Sequence, residues 1–336
     1  MPLDIATRLT SAVRQIGRLL LPAVAYGLFL TTAISPSLAV AASSEPSKLE
    51  GELLEIHPVV HFIGLGDIKP NLSGNLRFSD SKITFVAGDA TTEIPMQSIV
   101  AFSIEHDTVP LIKGKTGQVA AMAPYGAGQT ISMIRNGVDT FTLVYKDSNQ
   151  AIHGTVFLLP KDKGDDAVRI LATFGVAPHE YPRSGTAGPI EGTDRPATAS
   201  SDGKPSLEVA LLTESVDRVP AAFPVGIYEE LIAKLGKSGM FSNVWRQGDK
   251  RIDANALVLN IDIQGLKKGN ERTRSLVPFW GSTTIKTNVE LTDRAQNVLL
   301  KKQVSAAVRF HGENMEAGHG LCKKVEKQLK TLPTLQ

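Results

Sequence analysis

From residue 48 onward the chain repeatedly sets large apolar side chains against polar ones at a period of two. Val100, Phe102 and Ile104 alternate with Ala101, Ser103 and Glu105, and Phe141, Leu143 and Tyr145 alternate with Thr142 and Val144. Similar runs occur at Leu76–Phe78, Ile83–Val86, Ile131–Ile134 and Ala151–Leu159, divided by turn-formers such as Ser79-Asp80-Ser81 and Arg135-Asn136-Gly137. Such alternation predicts strands with one buried face. The run ends with Gly164-Asp165-Asp166 and then Ala167 to Gly175. Acids at its start and glycine at its end predict one short helix, with Ile170, Leu171 and Phe174 on its buried side.

A second pattern begins at Leu207, Val209 and Leu211, a strand. Ile227, Tyr228, Leu231, Ile232 and Leu235 then recur at helical spacing before Gly236 and Gly239. Three strands follow, on Leu257/Leu259/Ile261/Ile263, Ile285/Thr287/Val289/Leu291 and Val304/Ala306/Val308/Phe310. A last helix places Leu321, Cys322, Val325 and Leu329 on one stripe. Between the two patterns, residues 178–205 carry proline and glycine but hardly any large apolar side chain, too few to offset the entropy of ordering.

The expected organisation is therefore a β-rich module over 48–177, a flexible linker over 178–205, and a β-α-β-β-β-α module over 206–332. The fold class is α+β, and the second module reads as an antiparallel sheet covered by helices.

In the first module, Gly74 to Phe85 followed by Ile94 to Phe102 looks like the opening strands of the pleckstrin-homology-like superfold, including its GRAM-type relatives. That resemblance implies a β-barrel with one carboxy-terminal helix, used to bind lipids or peptides or as a scaffold. Lys69, Arg77 and Lys82 are spread out, so phosphoinositide binding is not carried over. In the second module, Gly239–Val244, Ala256–Gly265, Arg272–Gly281 and Val289–Asp293 resemble uncharacterised bacterial envelope and lipoprotein domains similar in fold to the amino-terminal domain of TolB. Such relatives are often lipid-anchored through an amino-terminal cysteine, which this chain lacks.

The amino terminus reads as an address. Arg8, Arg14 and Arg18 precede an apolar run from Leu19 to Leu30, and Ala39-x-Ala41 follows as a cleavage pattern, so residues 1–41 are expected to be a secretory signal. The competing reading is a retained membrane anchor, weakened by Pro22, Gly27 and Pro36. Either way the remainder is expected in the periplasm or cell envelope.

Composition narrows the function. The 336 residues are 42% hydrophobic and 21% charged, ordinary values for a soluble globular protein. With 36 basic and 34 acidic side chains the formal charge is +2, giving no general attraction to nucleic acid. The single cysteine, Cys322, makes no intramolecular disulfide and is expected on a buried helix face.

Searches for reactive groups give little. His57-Pro58-Val59-Val60-His61 resembles a metal pair, but in a strand the two rings stand about 13 Å apart, and the glutamate of the zinc-protease motif is absent. Lys113 to Gly117 lacks the first glycine of a phosphate loop, because Val109 stands there. Gly64-Leu65-Gly66 lacks the third glycine of a dinucleotide fingerprint, Lys69 taking its place. Ser184 lies in the linker, and His311 and His319 read as capping and surface residues. No cofactor, metal site or catalytic residue is expected.

The candidate contact surface is Arg272, Arg274, Phe279 and Trp280, a loop rich in the residue types of interface hot spots, which Trp245-Arg246 could join. The competing reading has these aromatics covering the end of the core. Lys323, Lys324, Lys327 and Lys330 read as a solvated face, with attraction to anionic lipid as the other reading. The expected role is a non-enzymatic envelope protein that binds a partner protein or assists assembly, with membrane contact and no nucleic acid. The alternatives are a lipid-binding or lipid-transfer protein, and a hydrolase with an unrecognised site.

Overall fold

A computed structural model describes residues 52–108, 138–176, 203–216, 219–267, 283–308 and 316–335. The expected leader, nearly all of the linker and the loop that carries Arg272, Arg274, Phe279 and Trp280 lie outside the described residues.

The alternating runs of the first part form seven strands: β1 (Glu52–Ile63), β2 (Leu72–Ser79), β3 (Lys82–Ala87), β4 (Ala90–Pro95), β5 (Ile99–Thr108), β6 (Val138–Lys146) and β7 (Ile152–Pro160). They hydrogen-bond antiparallel in the order β4-β3-β2-β1-β7-β6-β5. Among the described residues β4 and β5 end the path without pairing, so the expected barrel is an open sheet here. Its inner face buries Leu76, Phe78, Phe85, Phe141 and Phe157, with the Phe85 and Phe157 rings 5.4 Å apart.

Helix α1 (Gly164–Thr173) closes this face with Ala167 and Leu171, while Ile170 and Phe174 are half-buried against the same cluster. Asp165 and Asp166 sit in its first turn, where carboxylates suit the helix dipole. Its start lacks a local side-chain cap. Asp139 of β6 supplies one from across the fold, its Oδ2 accepting from Gly164 N at 2.9 Å. The helix stops at Gly175, whose φ of +73° a side chain would strain.

The second part contains β8 (Leu207–Val209), β9 (Thr213–Glu214), α2 (Ala222–Gly236), β10 (Val244–Arg246), β11 (Leu257–Lys267), β12 (Thr283–Thr292), β13 (Val298–Val308) and α3 (Glu316–Leu329). Its sheet runs β10-β8-β11-β12-β13, with β9 also on β11. Two of these strands, β9 and β10, are too short to show periodicity. The expected antiparallel sheet is instead mixed: β10, β8 and β11 are parallel, β9 is parallel to β11, and only β11, β12 and β13 form an antiparallel meander. Connectivity accounts for β10, which returns through α2 and so re-enters the sheet beside β8 in the same direction.

Helix α2 packs not on one sheet but between two. It touches β6 and β7 of the first sheet, β8 and β10 of the second, and α3. From Ala222 to Glu229 every residue is buried, as a helix covered on opposite sides requires. One apolar cluster therefore joins Ala101, Val144 and Val156 of the first sheet to Val225, Tyr228 and Leu259 of the second part. Residues 49–336 form a single compact unit.

This explains two departures from simple alternation. Strand β6 is buried from Val138 to Val144 because its second face meets α2. On β5, a register shift between Ile99 and Ala101 turns Ala101 inward and leaves Val100 43% exposed, although the period alone placed Val100 inside.

Candidate functional site

The densest set of polar side chains lies in the seam where α2 meets β7. Glu229, only 5% exposed, receives three donors. Gly154 N reaches Oε1 at 2.8 Å, Arg246 Nη1 the same oxygen at 2.5 Å, and Arg246 Nη2 reaches Oε2 at 2.7 Å. A bidentate guanidinium plus a backbone amide supplies the hydrogen-bond donors that a buried carboxylate loses when it leaves water. Next to it the Tyr228 hydroxyl donates to Ile152 O at 3.0 Å and accepts from Gln247 N at 3.2 Å, while Ile152 N donates to Gln247 O at 3.0 Å. The helix comes this close because β7 carries Gly154, where an added Cβ would stand 2.6 Å from Val225 Cγ1.

The outer end of the seam is ionisable. Tyr145 and His153 stack with ring centroids 5.3 Å apart, and His153 Nε2 lies 3.3 Å from Asp147 Oδ2. Burial, reinforced by the Arg246 charge, holds His153 below the ordinary imidazole value against the pull of Glu229 and Asp147. Burial and the nearby Glu229 push Tyr145 up to about 12, and burial raises Tyr228 as well. These groups hold one another and the backbone rather than converging on an open space.

Of the predicted contact residues, Trp245 falls within the described residues. It lies on β10 and faces away from α2. Its Nε1 donates to Asp253 Oδ2 at 3.3 Å, and the Arg251 guanidinium lies 5.3 Å from its ring centre. Arg251 in turn grips Asp249 through Nε at 3.0 Å and Nη2 at 2.7 Å. Beside Trp245 in the register stands Glu208 of β8, buried and 2.7 Å from Arg294 Nη2. Burial raises Glu208, an effect that Arg294 only partly offsets. The alternation of β10 explains the division of labour, with Trp245 half-buried on the face that carries Glu208 and Arg246 in the seam.

The histidine pair is separated in function. His61 is fully buried, with Nδ1 donating to Lys69 O at 3.3 Å and Nε2 accepting from Leu65 N at 3.1 Å, whereas His57 is exposed. Gly64 serves packing instead of phosphate: its φ is +108°, and a Cβ there would lie 1.9 Å from Gly154 O. His319 is exposed and paired with Glu230. Cys322 is fully buried against Ile227, and burial pushes its thiol well up. Lys113–Gly117, Ser184 and His311 lie outside the described residues. A cleft of about 470 Å³ opens between the start of β5 and the end of α1, lined by Met96, Ile99, Val100, Phe174 and Val176, with Asp80 at its side. No described helix is long and apolar enough to cross a membrane.

Sequence reasoning placed Arg246 beside Trp245 in a contact surface and singled out neither Glu229 nor Gly154. One signal was present: Glu229 interrupts an otherwise apolar face in the helical run from Phe223 to Leu235.

Residues 196–312 match a family described as "Domain of unknown function (DUF4410)". No curated protein matches the chain. A PelC variant dodecamer from Paraburkholderia phytofirmans is 17% identical over 43% of this chain and 96% of its own, with a TM-score of 0.27. A neuraminyllactose-binding hemagglutinin homolog from Helicobacter pylori is 10% identical over 41% of this chain and 89% of its own, with a TM-score of 0.24.

Proposed function

We propose that this chain is an exported, non-enzymatic cell-envelope protein that binds a partner protein or assists assembly. The observation that carries the reading is the seam. Its buried ion pair and hydrogen bonds fuse two sheets into one platform, and that platform holds a half-buried Trp245 beneath an exposed Arg251. Tryptophan and arginine on a rigid support are the usual anchors of an interface. Export rests on Arg8, Arg14, Arg18 and the apolar run that ends at Ala39-x-Ala41. Two finer assignments accompany it. The first part is a pleckstrin-homology-like domain, supported by seven antiparallel strands followed by one helix. The second is an envelope domain akin to the amino-terminal fold of TolB.

The test is capture from an envelope extract with the tagged full chain. A stoichiometric partner retained by Trp245→Phe but lost in Trp245→Ala and Arg251→Ala supports the reading. Capture indifferent to these changes, or turnover of a substrate by the purified chain, overturns it. Mass spectrometry of the exported product checks the address, with a mature chain beginning after Ala41 expected. The cleft beside Val100 favours a second reading, lipid binding or transfer, for which Val100→Asp abolishing uptake of a fluorescent fatty acid is the expected sign.

A further inference from the structure

Strand β13 and helix α3 share a surface at the edge of the second sheet opposite β10. Lys324 Nζ donates to Ser305 O at 2.6 Å and Lys302 Nζ to Gln328 Oε1 at 2.7 Å, so strand and helix run in opposite directions. The start of β13 therefore lies beside the end of α3, where Leu332 and Leu335 pack on the core. Lys302, Lys323, Lys324 and Lys327 are all exposed there, and among the described residues none meets a carboxylate. Their neighbours Lys301 and Lys330 are neutralised by Glu290 and Glu326, as Lys82 is by Glu93 and Lys163 by Asp166 elsewhere, which leaves these four as the excess. In a chain of formal charge +2 this is a concentrated positive field. At its end two aliphatic side chains stand in solvent, Val298 at 52% and Leu299 at 36% exposure.

We infer that the β13–α3 face docks on an anionic lipid bilayer, with the four lysines at the headgroups and Val298 and Leu299 entering the interface. Clustered ammonium groups are attracted by anionic headgroups, and adjacent aliphatics gain by leaving water. A nucleic acid or other soluble polyanion would use the lysines but leave the valine and leucine in water. The described part of this face also offers no phenylalanine, tyrosine or tryptophan on which bases could stack, and His319 of α3 is paired with Glu230. The inference is independent of the partner-binding reading, because Trp245 lies at the opposite edge of the sheet.

The full chain is floated with vesicles of phosphatidylcholine alone and of phosphatidylcholine with phosphatidylglycerol, at low and high salt. Retention that requires phosphatidylglycerol and falls with salt is expected. It should weaken by about tenfold or more in Lys323→Glu/Lys327→Glu, and should also weaken in Val298→Ser/Leu299→Ser. Trp245→Ala should leave it unchanged, and the melting temperatures of the surface variants confirm that they fold. Equal retention on both vesicles, or none, overturns the inference. So does binding displaced by heparin and indifferent to Val298→Ser/Leu299→Ser, which would identify a polyanion site.

Discussion

Glu229 and Arg246 illustrate how much can hang on one residue. With Glu229 in place, a guanidinium whose side chain is only 16% exposed is matched at both ends. Without it, a buried charge is left unpaired. Glu229→Ala should lower the unfolding free energy by about 3–5 kcal/mol, and Glu229→Met/Arg246→Met should recover much of that, both read from urea denaturation. Histidine gives the pH dependence. Burial keeps His61 and His153 below the ordinary imidazole value; backbone hydrogen bonds to Lys69 and Ile63 oppose this at His61, and Arg246 reinforces it at His153. In the unfolded chain both rings take up protons as pH falls through about 6.5, while in the folded chain they resist. Stability is thus complete above that value and is lost as pH falls below it. Urea midpoints should drop between about pH 7 and pH 5, with a shallower drop in His153→Gln.

At the scale of elements, the spacing between α2 and β7 is set by Gly154. An added methyl there meets Val225 Cγ1 at 2.6 Å, with no room on the other side of a helix already packed on the second sheet. Gly154→Ala is expected to cost about 1–3 kcal/mol, and Val225→Ala in the same chain to relieve part of it. The same sandwiching explains what was legible in α2 and what was not. Its apolar stripe at Ile227, Leu231 and Leu235 announced a helix. The burial of Phe223, Val225 and Glu229 on another side did not announce which element would cover them. Periodicity reports that a face is apolar, not what it meets. Strands β9 and β10, with two and three residues, carry no period at all.

For the whole molecule, a core shared by both sheets couples their unfolding. Calorimetry of the full chain should give one transition, with calorimetric and van't Hoff enthalpies equal. Two separable transitions would show that the two parts melt independently despite the seam. A piece beginning at Gly203 would bare the side of α2 that now meets β6 and β7, so it should bind a hydrophobic dye and self-associate where the full chain does not.

Local alternation and helical spacing determined most strands, the three described helices, the strand-rich α+β class and the buried state of Cys322. These depend on neighbours a few residues apart. Only tertiary structure decided that the second sheet is mixed, that the first is open among the described residues, and that β6 is covered on both faces. It alone also brought Gly154, Glu229 and Arg246 together from positions 75 and 17 residues apart. Hydrophobic period fixes which way a side chain points relative to its own element, whereas partners across a seam are chosen by chain connectivity and close packing, which no local pattern encodes.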